Sequence, residues 1–136
     1  MVLTDEEISL IESSKVNLKA FLSEFGEFYP FAMIMDNDGI IYPLEREIIE
    51  EYPDVDSVID LLERTFENEI VKTGNEYKLG IFCINVSINS PENETVTKRD
   101  AIEIRLIGTT YRKKLLLYYE ITETNEVILQ ELVGWF

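Results

Sequence analysis

Apolar residues along the chain change their spacing, and each pattern predicts a different element. From residue 5 to residue 25 they recur three and four positions apart, which is typical of an amphipathic helix. Thr4 and Glu7 can form a capping box at its start, and Gly26 offers a left-handed stop at its end. We therefore predict a first helix over residues 5–25.

A continuous apolar run at residues 31–35 is followed by an Asp/Gly turn and a second apolar run at residues 40–42. This order predicts a β-hairpin, with its first strand inside the sheet. Pro43 places the second strand at an edge or a strand end, because proline cannot donate to a strand ladder. Residues 44–52 allow a short helical turn, which Pro53 would end.

A second helix is predicted over residues 55–72, where apolar positions line one face and Asp54 or Asp56 can cap the start. From residue 77 the period changes to two, which predicts strands at 77–88, 100–107, 113–121 and 126–133. The strands are separated by a polar loop around Ser90 and Pro91, a turn near Gly108 and a turn at residues 123–125.

Short connections and alternating patterns favour an antiparallel sheet covered by helices. We predict one α+β domain over residues 1–136, a mainly antiparallel sheet of about five to six strands with two principal helices packed on one face. The predicted core residues are Phe21, Leu22, Ile34, Leu62, Phe66, Ile84, Ile104 and Leu117.

Composition limits the classes of protein that fit. The chain has 136 residues, 46% of them hydrophobic, which is enough to bury a core without disulfides. Its first residues have neither a basic nor an apolar targeting region, so we expect a cytoplasmic protein. Cys83, the one cysteine, lies in an apolar strand with no nearby cation and reads as a structural thiol.

The chain has no histidine, which removes the commonest general base and transition-metal ligand. Asp36, Asp38, Gly39 and Glu45 match four positions of a calcium-binding loop, but Ile34 stands at the first ligand position. A plain hairpin turn is the simpler interpretation. We expect no catalytic residue, metal or cofactor, and keep a carboxylate- or divalent-metal-dependent enzyme as an alternative.

Negative charge is concentrated in one quarter of the chain. Residues 36–69 contain twelve acidic residues against Arg46 and Arg64, a net charge of -10 out of -15 for the whole chain. A field of one sign repels nucleic acid and anionic membranes and attracts cationic surfaces. We therefore expect a basic protein partner, and neither nucleic acid nor a membrane.

Four carboxylates of the second helix form what we call the acidic stripe: Asp56, Asp60, Glu63 and Glu67. Like charges at this spacing cost on the order of 1 kcal/mol of helix stability, which Arg64 offsets in part. The stripe is either a solvated face that keeps the protein soluble or a docking face for a basic partner. The candidate partner-binding residues are the stripe and the carboxylates before it, namely Glu45, Glu47, Glu50, Glu51, Asp54, Asp56, Asp60, Glu63 and Glu67.

Two other features have open interpretations. Basic residues cluster at 98–99 and 112–114, where they fit balancing of neighbouring carboxylates or protection of a hairpin edge better than phosphate binding. Trp135 and Phe136 either pack against the sheet or anchor a partner or a second copy. The oligomeric state stays open.

Short motifs give the chain a resemblance to a group of small uncharacterised bacterial proteins. They are EFYPF at residues 27–31, DG at 38–39 and DAI at 100–102, which leads to a strand with tyrosines at 118–119. The resemblance covers residues 27–121 and implies an immunity-type role, because small acidic proteins of this kind look like those encoded beside bacterial toxins. It supplies no catalytic residue.

We therefore predict a non-enzymatic, acidic protein-binding module, of the immunity or inhibitor type, that docks a basic toxin or nuclease. The predicted element order also looks like roadblock and profilin-like scaffolds, so a scaffold domain that assembles through sheet edges is a second alternative.

Overall fold

The structure, a computed structural model, describes residues 2–44, 54–92 and 95–135. Two α-helices and one six-stranded sheet make up this part of the chain. The helices are α1 (Asp5–Phe25) and α2 (Val55–Phe66), which continues as a π-helix (Glu67–Lys72). The strands are β1 (Phe31–Asp36), β2 (Ile41–Pro43), β3 (Tyr77–Glu92), β4 (Thr95–Gly108), β5 (Arg112–Ile121) and β6 (Val127–Trp135). The predicted α+β class is confirmed.

Local capping defines both ends of α1. The Thr4 hydroxyl accepts a hydrogen bond from the Glu7 amide at 3.1 Å, and Glu7 Oε1 accepts one from the Thr4 amide at 2.8 Å. Gly26 adopts a left-handed φ of 73° and donates to the Leu22 carbonyl at 2.9 Å. The predicted bounds, residues 5–25, are therefore confirmed.

The strand order is β2-β1-β3-β4-β5-β6, and every neighbouring pair is antiparallel. As predicted, β1 lies inside the sheet and β2, which ends at Pro43, lies at an edge. The β3–β4 hairpin is longer than predicted, because the ladder continues past Pro91 where we expected a loop. Proline has no N–H to donate to a neighbouring strand. It is tolerated at residue 91 because β1 pairs with β3 only as far as Cys83, so no β1 residue lies beside position 91.

The two helices lie on opposite faces of the sheet, so the prediction that both pack on one face is wrong. Leu79, Ile81 and Cys83 of β3 belong to the core cluster of α1. Phe82 and Ile84, which point the other way, belong to the cluster of α2. A strand that is apolar at consecutive positions needs cover on both sides, and the two helices provide it.

Close packing holds α2 and its π-helical extension to the sheet. Phe66 and Ile70, which flank the junction of the two helical segments, are fully buried. A Cβ added at Gly80 of β3 would lie 2.8 Å from Phe66 Cζ and 2.9 Å from Ile70 Cδ1. The helix therefore approaches β3 at a position where only glycine leaves room.

Seven of the eight predicted core residues are buried, and Phe21 is not. The buried face of α1 runs through Leu10, Ile11, Leu18 and Leu22. Phe21 lies at the margin of this face, remains 36% exposed and lines a groove at the end of the helix.

Candidate partner-binding surface

The acidic stripe is not one uniform surface in the folded protein. Asp56 and Asp60 are exposed, whereas Glu63 and Glu67 are partly buried where α2 meets the sheet. The difference depends on position along the helix. Asp56 and Asp60 lie before the point at which the helix contacts the arginines of the sheet, and Glu63 and Glu67 take part in that contact.

Five charged side chains form an ion-pair network between α2 with its π-helical extension, β4 and β5. Glu63 Oε1 accepts a hydrogen bond from Arg105 Nη1 at 2.8 Å, and Glu63 Oε2 accepts one from Arg112 Nη1 at 2.7 Å. Arg105 Nε also donates to Glu103 at 2.6 Å, and Arg112 Nη2 to Glu67 at 2.6 Å. Both arginines are thereby held between carboxylates, which joins the helix to two strands.

The network favours the charged form of Arg105. Burial by itself would lower the pKa of Arg105, but Glu103 and Glu63 outweigh that effect and raise the pKa above its ordinary value. Arg64, the expected cation of the stripe, donates through Nε to the backbone carbonyl of Asp60 at 3.4 Å. Of the four stripe carboxylates, Glu63 and Glu67 are therefore neutralised by arginines of the sheet, and Arg112 balances neighbouring carboxylates as expected for the basic cluster at residues 112–114.

Three carboxylates at the start of α2 form what we call the acidic surface: Asp54, Asp56 and Asp60. All three are exposed, and none of the ion pairs among the described side chains involves them. Asp54 occupies the N-cap position, and its Oδ2 accepts a hydrogen bond from Ser57 Oγ at 3.4 Å. The remaining predicted partner-binding residues lie outside the described residues: Glu45, Glu47, Glu50 and Glu51.

An apolar groove with a volume of about 850 Å³ adjoins the acidic surface. We call it the aromatic groove; its wall includes Phe21, Phe25, Phe28, Tyr29, Phe31 and Val55. The Phe31 ring meets the Phe21 and Phe28 rings edge-on, with centroids 5.5 and 5.6 Å apart. Because Val55 stands between Asp54 and Asp56, the groove meets the acidic surface at the first turn of α2.

We did not predict the groove from the sequence, although a signal for it is present. Phe21 and Phe25 are four residues apart on α1 and so lie on one side of the helix. The aromatic motif at residues 27–31 follows directly. Together they place five aromatic rings around one chain reversal, more than the end of a single helix can bury.

The Asp/Gly turn uses its own carboxylate to hold the hairpin. Asp36 Oδ1 accepts hydrogen bonds from the amides of Asp38 and Ile40, each at 2.9 Å, and Asp36 Oδ2 accepts one from the Tyr42 hydroxyl at 3.2 Å. In the described part of the chain no three His, Cys, Asp or Glu residues come together as a metal site. The metal-dependent alternative also needs Glu45, which lies outside that part, and it stays a prediction.

Cys83 is fully buried, as the interpretation of a structural thiol requires. Burial raises the pKa of its thiol to about 12, so the reactive thiolate is not formed at neutral pH.

On β4, the Arg99 guanidinium stacks over the Tyr118 ring at 3.9 Å and donates to Gln130 at 2.9 Å. Phe136 and the side chain of Trp135 lie outside what the structure describes, so their two interpretations stay open.

Neither of the two described helices is long and apolar enough to cross a membrane. Comparison of the chain with family models, with curated proteins and with solved structures gives no match.

Proposed function

We propose that this chain is a non-enzymatic protein-binding module that docks a basic protein partner at the start of α2. The observation that best supports the proposal is that the acidic surface and the aromatic groove lie side by side. Protein interfaces commonly combine an apolar centre with a polar rim, and these two surfaces supply one component each.

The charge of the acidic surface is not used inside the described fold. Glu63 and Glu67 are neutralised by arginines, whereas the three aspartates are not. The helix dipole accounts for carboxylates in the first turn, which covers Asp54 and Asp56. Asp60 lies beyond that turn, and a cationic partner would explain its exposure together with that of the other two.

The net charge of -15 also favours fast capture of such a partner. Complementary fields raise association rates by roughly 10- to 1000-fold at low salt. After the encounter, the aromatic groove would add apolar contacts that slow dissociation. Affinity differences between related complexes arise mostly in the dissociation rate constant. The two surfaces therefore have separable kinetic roles.

The partner that fits this chemistry most concretely is a basic toxin or nuclease. The lysines and arginines of such a protein normally bind phosphates of the nucleic acid. Carboxylates can take the place of those phosphates as their binding partners. A module bound in this way would block a nucleic-acid-binding groove. The resemblance to small bacterial proteins of the immunity type supports the same proposal.

The test is affinity capture from a lysate of the native host, followed by purification of the captured protein and a direct binding assay. The acidic-surface variant replaces each of its three aspartates with asparagine. The matched control, Glu120→Gln with Glu123→Gln and Glu126→Gln, removes the same charge from exposed positions around the β5–β6 turn. We expect wild type and control to bind one basic protein that the acidic-surface variant loses. Equal binding by all three, or a partner without a basic surface, would overturn the proposal.

A further inference from the structure

The two edges of the sheet differ in how they are protected against pairing with another chain. At one edge, β2 is three residues long and ends at Pro43. At the other, β6 (Val127–Trp135) is nine residues long and contains no proline, lysine or arginine. Natural sheets guard long edges with proline, charged side chains or β-bulges, because unpaired backbone groups recruit further strands, and of these β6 has one glutamate and one bulge. No described strand pairs with the outer side of β6.

A bulge gives β6 an unusual pattern of side chains. Leu117 pairs with Leu132 and Tyr119 with Leu129, so β6 contains one extra residue between them. Leu129 and Leu132 therefore both lie on the α1 face and are partly buried against its core. On the other face, two apolar side chains flank the bulge and remain exposed, Ile128 at 42% and Val133 at 38%.

We propose that β6 pairs antiparallel with β6 of a second copy of this chain, about a two-fold axis at the bulge. In this register Ile128 of one copy lies opposite Val133 of the other, and Leu129 lies opposite Leu132 of the other. Both pairs join side chains of the same face, exposed with exposed and partly buried with partly buried. The strand is thus complementary to itself, as an isologous dimer requires.

The neighbouring registers fit less well, which is the reason for choosing a second copy and this alignment. A shift by one residue sets Ile128 against Leu132 or Leu129 against Val133, which lie on different faces.

Charge predicts how the dimer responds to salt. Each copy carries a net charge of -15, so two copies repel one another at low ionic strength. Added salt should strengthen dimerisation, whereas it should weaken docking of a basic partner. The two proposals can therefore fail independently of each other.

The test is sedimentation velocity over micromolar concentrations at low and high salt, with thermal unfolding as a check on folding. Wild type should form a dimer whose dissociation constant falls as salt rises. Ile128→Lys should weaken the dimer about tenfold, because two cross-strand pairs are lost per dimer. Val16→Lys is the matched control on an exposed position of α1 and should leave the dissociation constant unchanged.

A mixing experiment tests the register itself. Ile128→Lys and Val133→Glu should each weaken self-association, but an equimolar mixture should form a heterodimer tighter than either homodimer, because the introduced opposite charges face each other. A wild type that stays monomeric at high salt overturns the proposal. So does a dimer that Ile128→Lys leaves as tight as the control, or a mixture with no preference for the heterodimer.

Discussion

Glu63 is the residue at which the structure departs most from a uniform acidic stripe. Its carboxylate lies between Arg105 and Arg112, with one oxygen 2.8 Å from the first guanidinium and the other 2.7 Å from the second. Glu63→Gln keeps the size of the side chain but removes its charge, and it directs an amide N–H toward one arginine. On a solvated stripe the same change would relieve repulsion and stabilise the helix slightly.

The expected loss follows from how exposed each pair is. The Arg105 and Glu63 side chains are 22% and 30% exposed, and that of Arg112 is 51% exposed. A hydrogen bond to a charged group is worth about 1.5–3 kcal/mol when buried, whereas exposed ion pairs contribute about 0–1 kcal/mol. Because both arginines keep a second carboxylate, we expect Glu63→Gln to lower the free energy of unfolding by about 1–2 kcal/mol.

Chemical denaturation at neutral pH measures this effect. The matched control is Asp60→Asn, which removes one charge from the same helix at an exposed position and should change stability by less than about 0.5 kcal/mol. A double-mutant cycle of Glu63→Gln with Arg105→Gln should show a coupling energy, since the two side chains are in contact. Equal losses of unfolding free energy in Glu63→Gln and Asp60→Asn, or a coupling energy of zero, would refute the claim that Glu63 holds the fold together while Asp60 does not.

Three further predictions, made with four substitutions, test other parts of the fold. Gly80→Ala should lower the free energy of unfolding by about 1–3 kcal/mol by overpacking a buried site, whereas Gly108→Ala should cost less in the same denaturation assay because the ring it meets is partly exposed. Burial alone would raise the pKa of Glu7, but Lys113 and Thr4 outweigh it and hold that pKa below the ordinary 4.5. The stability that Glu7 adds over Glu7→Gln should therefore be complete above pH 4.5 and shrink as pH falls through the lowered pKa. Burial and the charge of Asp100 raise the pKa of Tyr119 from 10.0 to about 12, so wild type should lose stability relative to Tyr119→Phe as pH rises from 10.0 toward 12.

Short-range signals in the sequence predict the individual elements well. The bounds of α1 follow from the capping box and from Gly26, which act within a few residues of the helix ends. The strands after residue 77 follow from the end of the helical spacing and from the turn residues between them. The length of the β3–β4 hairpin does not, because tolerance of Pro91 depends on where β1 stops pairing.

The side of the sheet on which each helix packs is a long-range property. The period of an amphipathic helix shows that it needs a surface, but both faces of an apolar strand can supply one. The continuous apolar run of β3 at residues 79–84 does carry the answer, because such a run is typical of a strand covered on both sides. Apolar runs should therefore be weighed together with the number of helices available to cover them.

The candidate surface is predictable only in part for the same reason. Helical spacing finds the acidic stripe, but it cannot show that Glu63 faces an arginine 42 residues further along the chain. That pairing depends on two things: the alternation of side chains along β4, which points Arg105 toward α2, and the face of the sheet that α2 covers. Once the face covered by α2 is known, the exposed carboxylates of the acidic surface can be distinguished from Glu63 and Glu67, which hold the helix to the sheet.

The most direct test of the proposed function is the association rate constant with the captured basic partner, measured as a function of salt. Wild type and the Glu120, Glu123 and Glu126 control should associate at similar rates. The acidic-surface variant should associate more slowly at low salt, and the difference should shrink as salt rises past roughly 0.15 M, where the screening length is about 8 Å. An association rate of the acidic-surface variant equal to that of wild type at low salt would contradict the account.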